Sequence, residues 1–229
     1  MRSALIAVAI LASGCATAEP TFTGGRTVPR GRSDLAVGAA VRVPVGDLVA
    51  QPLPDDDQRL LAFGAPSGVA PAAFVRHGLT DELDLGVEAS GSSLRASLRG
   101  RVSLGSLANL VIGVTPHAGA VYDGGDGAAF RGGALVPIAI TLDLFSLYEV
   151  WIGARAGIEH VSGELGDRAV SLNGLRTGGV IGLAVGFRRF HVLAELAVDH
   201  ELWWGSLGAE AIERSGVSLT PAFAVRLRL

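Results

Sequence analysis

The chain has 229 residues, a positive mean hydropathy and a net charge of −3, with 49% hydrophobic and 18% charged residues. It is more apolar than a typical soluble domain, yet beyond the first 14 residues no apolar run reaches the roughly 18 residues that a membrane-spanning helix needs. Since only helices and closed barrels pair all their backbone groups in lipid, this composition favours a single-domain β-barrel. No tract rich in lysine and arginine stands out, so the chain lacks the electrostatic pattern of a nucleic-acid-binding protein.

The N-terminus has the features of an export signal. One positive charge, at Arg2, precedes an apolar stretch over residues 4–12, and small residues follow. The sequence Leu-Ala-Ser-Gly-Cys at the end of this stretch resembles the bacterial lipobox, which implies lipidation of Cys15. The alternative is ordinary cleavage after Ala18, which would remove Cys15. We therefore predict a signal peptide over residues 1–18, with cleavage before Cys15 in the lipoprotein form.

The rest of the chain divides into a short tether and a long alternating region. Residues 19–33 are rich in Gly, Pro, Thr and Arg without periodicity, which predicts a flexible tether. Over residues 34–229, apolar and polar residues alternate with period 2, as in strands with one apolar face. The predicted strands are 35–45, 72–79, 83–90, 94–104, 110–121, 130–142, 148–161, 175–187, 190–198 and 217–229. This pattern predicts an all-β, antiparallel up-and-down transmembrane barrel of about ten strands.

The connections between these strands differ in length. Short turns are predicted at 80–82, 105–109, 143–147 and 188–189, and longer loops at 46–71, 123–129, 162–174 and 200–216, with 91–92 as a short exception. Short periplasmic turns opposite longer outer loops are typical of bacterial outer-membrane barrels. We therefore predict that both chain termini lie in the periplasm.

Two segments resemble bacterial outer-membrane β-barrel proteins. Residues 77–87 (HGLTDELDLGV) resemble a recurrent hairpin in which Gly-Leu-Thr-Asp precedes an alternating Leu-x-Leu-Gly strand. Residues 221–229 (PAFAVRLRL) resemble the terminal strand that the barrel-assembly machinery recognises, although many such strands end in Phe and this one ends in Leu229. The resemblance implies a small outer-membrane barrel, surrounded by outer-membrane lipid and assembled through its C-terminal strand.

The polar face of the predicted strands carries charges of both signs. If the apolar face contacts lipid, the lumen is lined by charged residues that include Glu88, Arg95, Arg99, Arg101, Arg155, Glu159 and Glu195. An arginine facing lipid at the membrane midplane would cost about 2 to 4 kcal/mol, which favours inward placement. Two interpretations remain open. The charges either pair and plug a narrow lumen, or they line a conduit that favours anions.

No residue pattern indicates catalysis or a cofactor. Asp199 and His200 invite comparison with the omptin proteases, ten-stranded barrels with Asp and His at the extracellular rim, but adjacent residues of a strand point to opposite faces. His117 has no identifiable Ser and acid partners. Neither zinc-like Cys and His spacing nor a calcium-loop pattern is present. We therefore predict no catalytic residue, no metal site and no cofactor.

These observations predict a non-enzymatic outer-membrane β-barrel with a structural or limited solute-passage role and no nucleic-acid partner. One alternative is a lipid-anchored soluble barrel or lipocalin-like binding protein, because period 2 alone does not tell whether the apolar face points inward or outward. A second alternative is an outer-membrane barrel hydrolase of the omptin type.

Overall fold

The computed structural model describes residues 18–24, 26–49, 60–61, 64–123, 127–145, 147–187 and 189–229. They form a closed antiparallel barrel in which each strand pairs with its neighbours in sequence and the first pairs with the last. The strands are β1 (Ser33–Val45), β2 (Gly68–Gly78), β3 (Leu83–Ser90), β4 (Ser93–Ser103), β5 (Ala108–Asp123), β6 (Gly127–Leu144), β7 (Tyr148–Leu165), β8 (Arg168–Phe187), β9 (Phe190–Leu207) and β10 (Glu210–Arg228). Within the described residues, no helix is long and apolar enough to cross a membrane. The predicted up-and-down barrel of ten strands is confirmed.

The barrel closes where β1 pairs with β10. Leu35 lies opposite Leu227, and the backbone N–H of Leu229 donates to the carbonyl of Ser33 at 2.8 Å. Closure pairs the backbone groups of these two strands, which would otherwise form exposed sheet edges. We refer to the end where β1 begins and β10 ends as the terminal end, and to the other as the distal end.

The apolar face of the barrel points outward. On β8, for example, Ile181 and Leu183 are exposed, whereas Arg176 and Val180 are buried inside. The outward band includes Val37, Val69, Val87, Leu98, Ile112, Ile138, Ile152, Ile181, Val198 and Phe223. A lipocalin-like soluble barrel needs the reverse arrangement, so the observed faces contradict that alternative. The architecture is the one that the resemblance to small outer-membrane barrels implies.

Several strands extend further toward the distal end than the sequence predicts. The predicted loops at 162–174 and 200–216 are wrong, because these residues form the paired distal ends of β7 to β10. Two-residue turns join the strands, and each begins with a glycine in the left-handed region, Gly166 (φ 64°) and Gly208 (φ 61°). That conformation suits the tight turns of hairpins and is easiest for glycine.

The error in these loop predictions has a physical cause. Beyond the outward apolar band, the two faces exchange character: His160 and Asn173 point outward, whereas Val161 and Leu172 are fully buried inside. Period-2 alternation therefore continues, but with its apolar side on the opposite face, and the segments look irregular in sequence. The predicted loop at 123–129 is likewise mostly strand, since β5 and β6 pair up to its centre.

The described part of the long connection between β1 and β2, residues 46–49, 60–61 and 64–67, lies at the distal mouth. In this part, Leu48, Leu60 and Ala65 are buried. Arg42 in the wall donates to the backbone carbonyl of Ala65 at 2.7 Å. The buried apolar residues of this connection pack with inward residues of the long strands and form an apolar cluster, which we call the distal cap. It comprises Leu48, Leu60, Leu61, Ala65, Val121, Ala129, Val161, Leu165, Val170, Leu172, Trp203, Leu207 and Ile212.

The N-terminal segment, residues 18–24 and 26–29, lies inside the barrel. Arg30 forms a β-bridge with Gly78 at the terminal end. Ala18 is 1% exposed, and its carbonyl accepts a hydrogen bond of 2.6 Å from Ser90, the last residue of β3. The segment therefore runs through the lumen from the terminal end to the distal tip of β3.

This location differs from the flexible tether predicted over residues 19–33. The sequence suggests a tether because the segment is polar and has no strand periodicity. In the barrel, however, its polarity is satisfied internally: Glu19, Thr21 and Thr27 are buried and bind groups of the wall. Periodicity describes only how a segment pairs within a sheet, so it does not detect a segment held by side chains.

The outward band predicts where a charge is most costly. Ile181 lies midway along the band of β8, which runs from Leu175 to Phe187. We expect Ile181→Arg to lower the free energy of unfolding from phospholipid vesicles, measured by urea titration, by roughly 2 to 4 kcal/mol. Ser171→Arg is the matched control on the same face beyond the band and should cost about 1 kcal/mol or less. Equal losses in the two variants would contradict the assignment of the band.

Candidate functional site: the occupied lumen

The structure places the predicted lumen residues inside the barrel. The buried ones are Glu88, Arg95, Arg99, Arg155, Glu159 and Glu195. Arg101 shares their inward parity on β4 but is half-buried near the terminal end. The predicted lipidation site, Cys15, lies outside the described residues.

One group of ion pairs lies on β2, β3 and β4. Arg76 binds the Glu88 carboxylate at 2.6 Å, and Arg95 lies 3.5 Å from the other oxygen of the same group. Arg99 donates two hydrogen bonds to Asp84. These pairs form because hydrogen-bonded neighbours on adjacent strands place their inward side chains next to each other. Here the registers align Asp84 with Arg99 and Glu88 with Arg95.

A second group lies nearer the distal end. Arg42 binds Glu201 at 2.5 Å, and Arg176 approaches the other oxygen of Glu201 at 3.6 Å. Arg155 binds Asp199 across β7, β8 and β9. Glu201 and Asp199 have the same inward parity on β9, so one strand supplies both carboxylates. The guanidinium groups come from three other strands.

Glu19 of the N-terminal segment completes the second group. Its carboxylate lies 2.9 Å from Arg131 and 2.8 Å from Arg176, and 3.7 Å from His117. Both arginines also approach Glu159. Burial alone would raise the pKa of the Glu19 carboxyl, but Arg176 and Arg131 outweigh burial and hold that pKa well below its usual range. Glu19 is therefore an ionised partner of these two arginines.

Backbone carbonyls of the N-terminal segment accept further hydrogen bonds from wall arginines. These bonds join Arg76 to Thr21 and Phe22, Arg95 to Pro20, Arg99 to Thr23 and Arg155 to Glu19. A guanidinium has five N–H donors and rarely satisfies all of them with one carboxylate. The segment thus supplies acceptors for those guanidinium N–H donors that the wall carboxylates do not bind.

The segment also donates hydrogen bonds to the wall. The backbone N–H of Thr21 donates to Glu195 at 2.7 Å, and the hydroxyl of Thr21 donates to the other carboxylate oxygen at 2.9 Å. The indole N–H of Trp151 donates to the same oxygen at 3.0 Å. Glu195 thereby fixes the middle of the segment against β7 and β9.

The lumen contains one cluster with metal-ligand chemistry. Ligand atoms of Glu19, His117 and Glu159 lie within 4.8 Å of one another. Neither ring nitrogen of His117 makes a hydrogen bond within the described part of the chain. Both carboxylates, however, already bind Arg131 or Arg176, and two guanidinium groups repel a divalent cation at this distance. The arrangement fits anion binding by arginine better than metal binding.

The geometry separates the one residue pair considered for catalysis. Asp199 is 1% exposed inside the barrel, whereas His200 points outward from the same strand. The two side chains lie on opposite sides of the wall and do not meet at one substrate. This contradicts the arrangement that the omptin alternative requires.

The charged lumen residues that the sequence does not predict include Arg131, Arg176, Glu201 and Glu19. Arg131, Arg176 and Glu201 have the same inward parity as their neighbours in β6, β8 and β9, so continuing the alternation would have found them. Glu201 was missed because it lies within the wrongly predicted loop. Glu19 has no such signal, because it lies outside the strands.

No protein-family model matches the chain, and no curated protein matches it. Among solved structures, the chain is similar to the Neisserial surface protein A, with 13% identity and a TM-score of 0.43, covering 86% of this chain and 99% of that one. It is also similar to Ail, the attachment invasion locus protein of Yersinia pestis, with 11% identity and a TM-score of 0.36, covering 87% of this chain and 99% of that one. A third similar structure is the toluene transporter TodX of Pseudomonas putida, with 10% identity and a TM-score of 0.26, covering 94% of this chain and 97% of that one. At these scores the functional interpretation rests on the geometry of this barrel.

The packing around Trp151 gives a direct test of the lumen. A Cβ at Gly182 would overlap the Trp151 indole ring, which binds Glu195, whereas a Cβ at Gly100 would meet no atom within 4 Å. We expect Gly182→Ala to lower the free energy of unfolding by about 1 to 3 kcal/mol, as overpacking does, and to change tryptophan fluorescence. The control, Gly100→Ala, should change neither. A Gly182→Ala barrel with unchanged stability and fluorescence would contradict this packing.

Proposed function

We propose that this chain is a non-enzymatic outer-membrane β-barrel with a structural role in the cell envelope and a lumen that is closed at rest. The observation that supports this most directly is the occupied lumen. The N-terminal segment binds wall arginines along its length, and the distal cap fills the mouth beyond it. An open aqueous conduit would instead present these arginines to water.

The barrel geometry supports the membrane location. The strand number is even, nine of the ten strands have 11 residues or more and are long enough to cross a bilayer at barrel tilt, and the outer face carries an apolar band. We propose that the terminal end faces the periplasm, because the longest connection, residues 46–67, and the strand ends that extend beyond the outward band both lie at the distal end, as the longer outer loops of bacterial barrels do. In this proposal β10, which alternates up to its last residue, is the strand presented to the barrel-assembly machinery.

Limited solute passage is the second candidate, and one observation favours it. The N-terminal segment is held mostly by side chains: apart from backbone bonds around Arg30 and Gly78, its described contacts are with wall residues such as Arg76, Glu195 and Arg131. Its departure would therefore leave the β-ladder intact. Passage through the lumen would require that departure.

Conductance separates a closed lumen from an open one. We expect the purified barrel to migrate heat-dependently on gels, to fractionate with the outer membrane and to give no steady conductance in planar lipid bilayers. A variant that lacks residues 19–28 and carries a short Gly-Ser turn in place of residues 46–67 should give discrete conductance with a preference for anions, because wall arginines lose their acceptors and the connection no longer contributes to the distal cap. Steady conductance by the intact chain would contradict closure, and release by mild salt without a heat shift would contradict the membrane location.

We further propose that the signal peptide is cleaved before Cys15. Ala18 is buried and accepts the hydrogen bond from Ser90, and a mature chain that begins at Cys15 keeps this contact. Cleavage after Ala18 would remove it. It would also create a charged amino group at Glu19, whose carbonyl lies 2.7 Å from the Arg155 guanidinium. A positive charge on a buried residue that already contacts a guanidinium is unfavourable.

Intact mass spectrometry of the protein extracted from outer membranes tests this processing. We expect the mass of a chain that begins at Cys15 and carries lipid. Cys15→Ala should abolish the lipid mass, while Ser13→Ala, another substitution beside the cleavage site, should preserve it. A mature chain that begins at Glu19 would contradict the proposal.

A further inference from the structure

The Glu19 carboxylate occupies a site built by the barrel wall. Arg131 and Arg176 come from β6 and β8, and their side chains are 0% and 8% exposed. Each binds a different oxygen of the carboxylate, at 2.9 and 2.8 Å. Two guanidinium groups that grip the two oxygens of one carboxylate form a geometry suited to recognition of this group.

The charges of the wall around this site do not balance without Glu19. Arg42, Arg131 and Arg176 face two wall carboxylates, which are Glu159 and Glu201. Arg155 pairs separately with Asp199. Removal of the Glu19 carboxylate would therefore leave one buried positive charge in excess. A buried charge without a partner is costly, so the empty site would attract an anion.

The space at the site sets the size of that anion. A small cavity beside Glu19 is lined by residues that include Ala134, Gly157, Gly174 and Trp203. The Trp203 ring packs directly over Gly174, so little free space remains beyond that of the Glu19 side chain itself. A carboxylate with few further atoms, such as formate or acetate, fits the space that the Glu19 side chain fills.

We propose that Arg131 and Arg176 form a binding site for small carboxylates within the lumen, and that Glu19 is its built-in occupant. The site goes beyond the structural role of a closed barrel, because it gives the lumen a defined ligand chemistry once the N-terminal segment is displaced. In the intact chain the tethered carboxylate competes with free anions at an effective concentration of the order of millimolar or higher.

Chemical rescue of a full-length Glu19→Ala barrel tests this site. Calorimetric titration of the refolded variant with sodium formate should show saturable binding of one anion per barrel. Formate should also raise the temperature of the heat-dependent gel shift. The intact chain should bind formate at least about tenfold more weakly, because its own carboxylate occupies the site. Glu213→Ala removes an exposed carboxylate at the distal end and serves as the matched control, with no gain of binding.

A second substitution links binding to the arginines. Glu19→Ala combined with Arg131→Gln should lose formate binding. If Glu19→Ala does not refold alone, refolding in sodium formate should recover the heat-modifiable barrel, whereas refolding in sodium chloride should not. A folded Glu19 variant without saturable binding overturns the site, as does binding that survives Arg131→Gln or that chloride matches. Closure of the lumen is measured separately, as conductance of the intact chain, so the two proposals fail independently.

Discussion

A buried guanidinium must keep both its charge and its five donors satisfied, and this requirement organises the interior of the barrel. Desolvating an ion costs several kcal/mol unless partners replace the lost water. In a ten-stranded barrel the interior is filled largely by side chains, so those partners must come from the protein. Wall carboxylates such as Glu88 and Asp199 neutralise the charge. The backbone carbonyls of the N-terminal segment accept the donors that remain.

The interior is sealed by two different chemistries along its axis. Toward the terminal end and the middle, ion pairs and hydrogen bonds hold the N-terminal segment. Toward the distal end, where the outer face becomes polar, the inner face becomes apolar and the distal cap packs on itself. The exchange occurs between Glu159 and Val161 on β7. Each seal therefore depends on the polarity pattern of the strands rather than on added secondary structure.

The sequence is sufficient to predict the ten-stranded antiparallel topology, because the alternation of apolar and polar residues and the length of each strand are local properties of the chain. It was also sufficient for the inward parity of residues such as Arg95 and Arg155, since alternation fixes which face a strand residue occupies. It is not sufficient where the apolar side of the alternation changes face, as it does around Leu172, because such a strand has no continuous apolar face in the sequence. The position of Glu19 was beyond such reasoning, because its partners come from strands far apart in sequence and meet only in the closed barrel.

The direction of the N-terminal segment constrains how the barrel forms. The segment joins β1 directly, and β1 is one side of the final β1–β10 junction. Its residues must therefore enter the interior before that junction closes or thread through the finished ring afterwards. Entry before closure needs only a reversal of the chain around Gly31 (φ 69°), with little loop entropy to overcome. Entry of the segment thereby carries Ala18 inward, toward the tip of β3 and away from the end where the last residue lies.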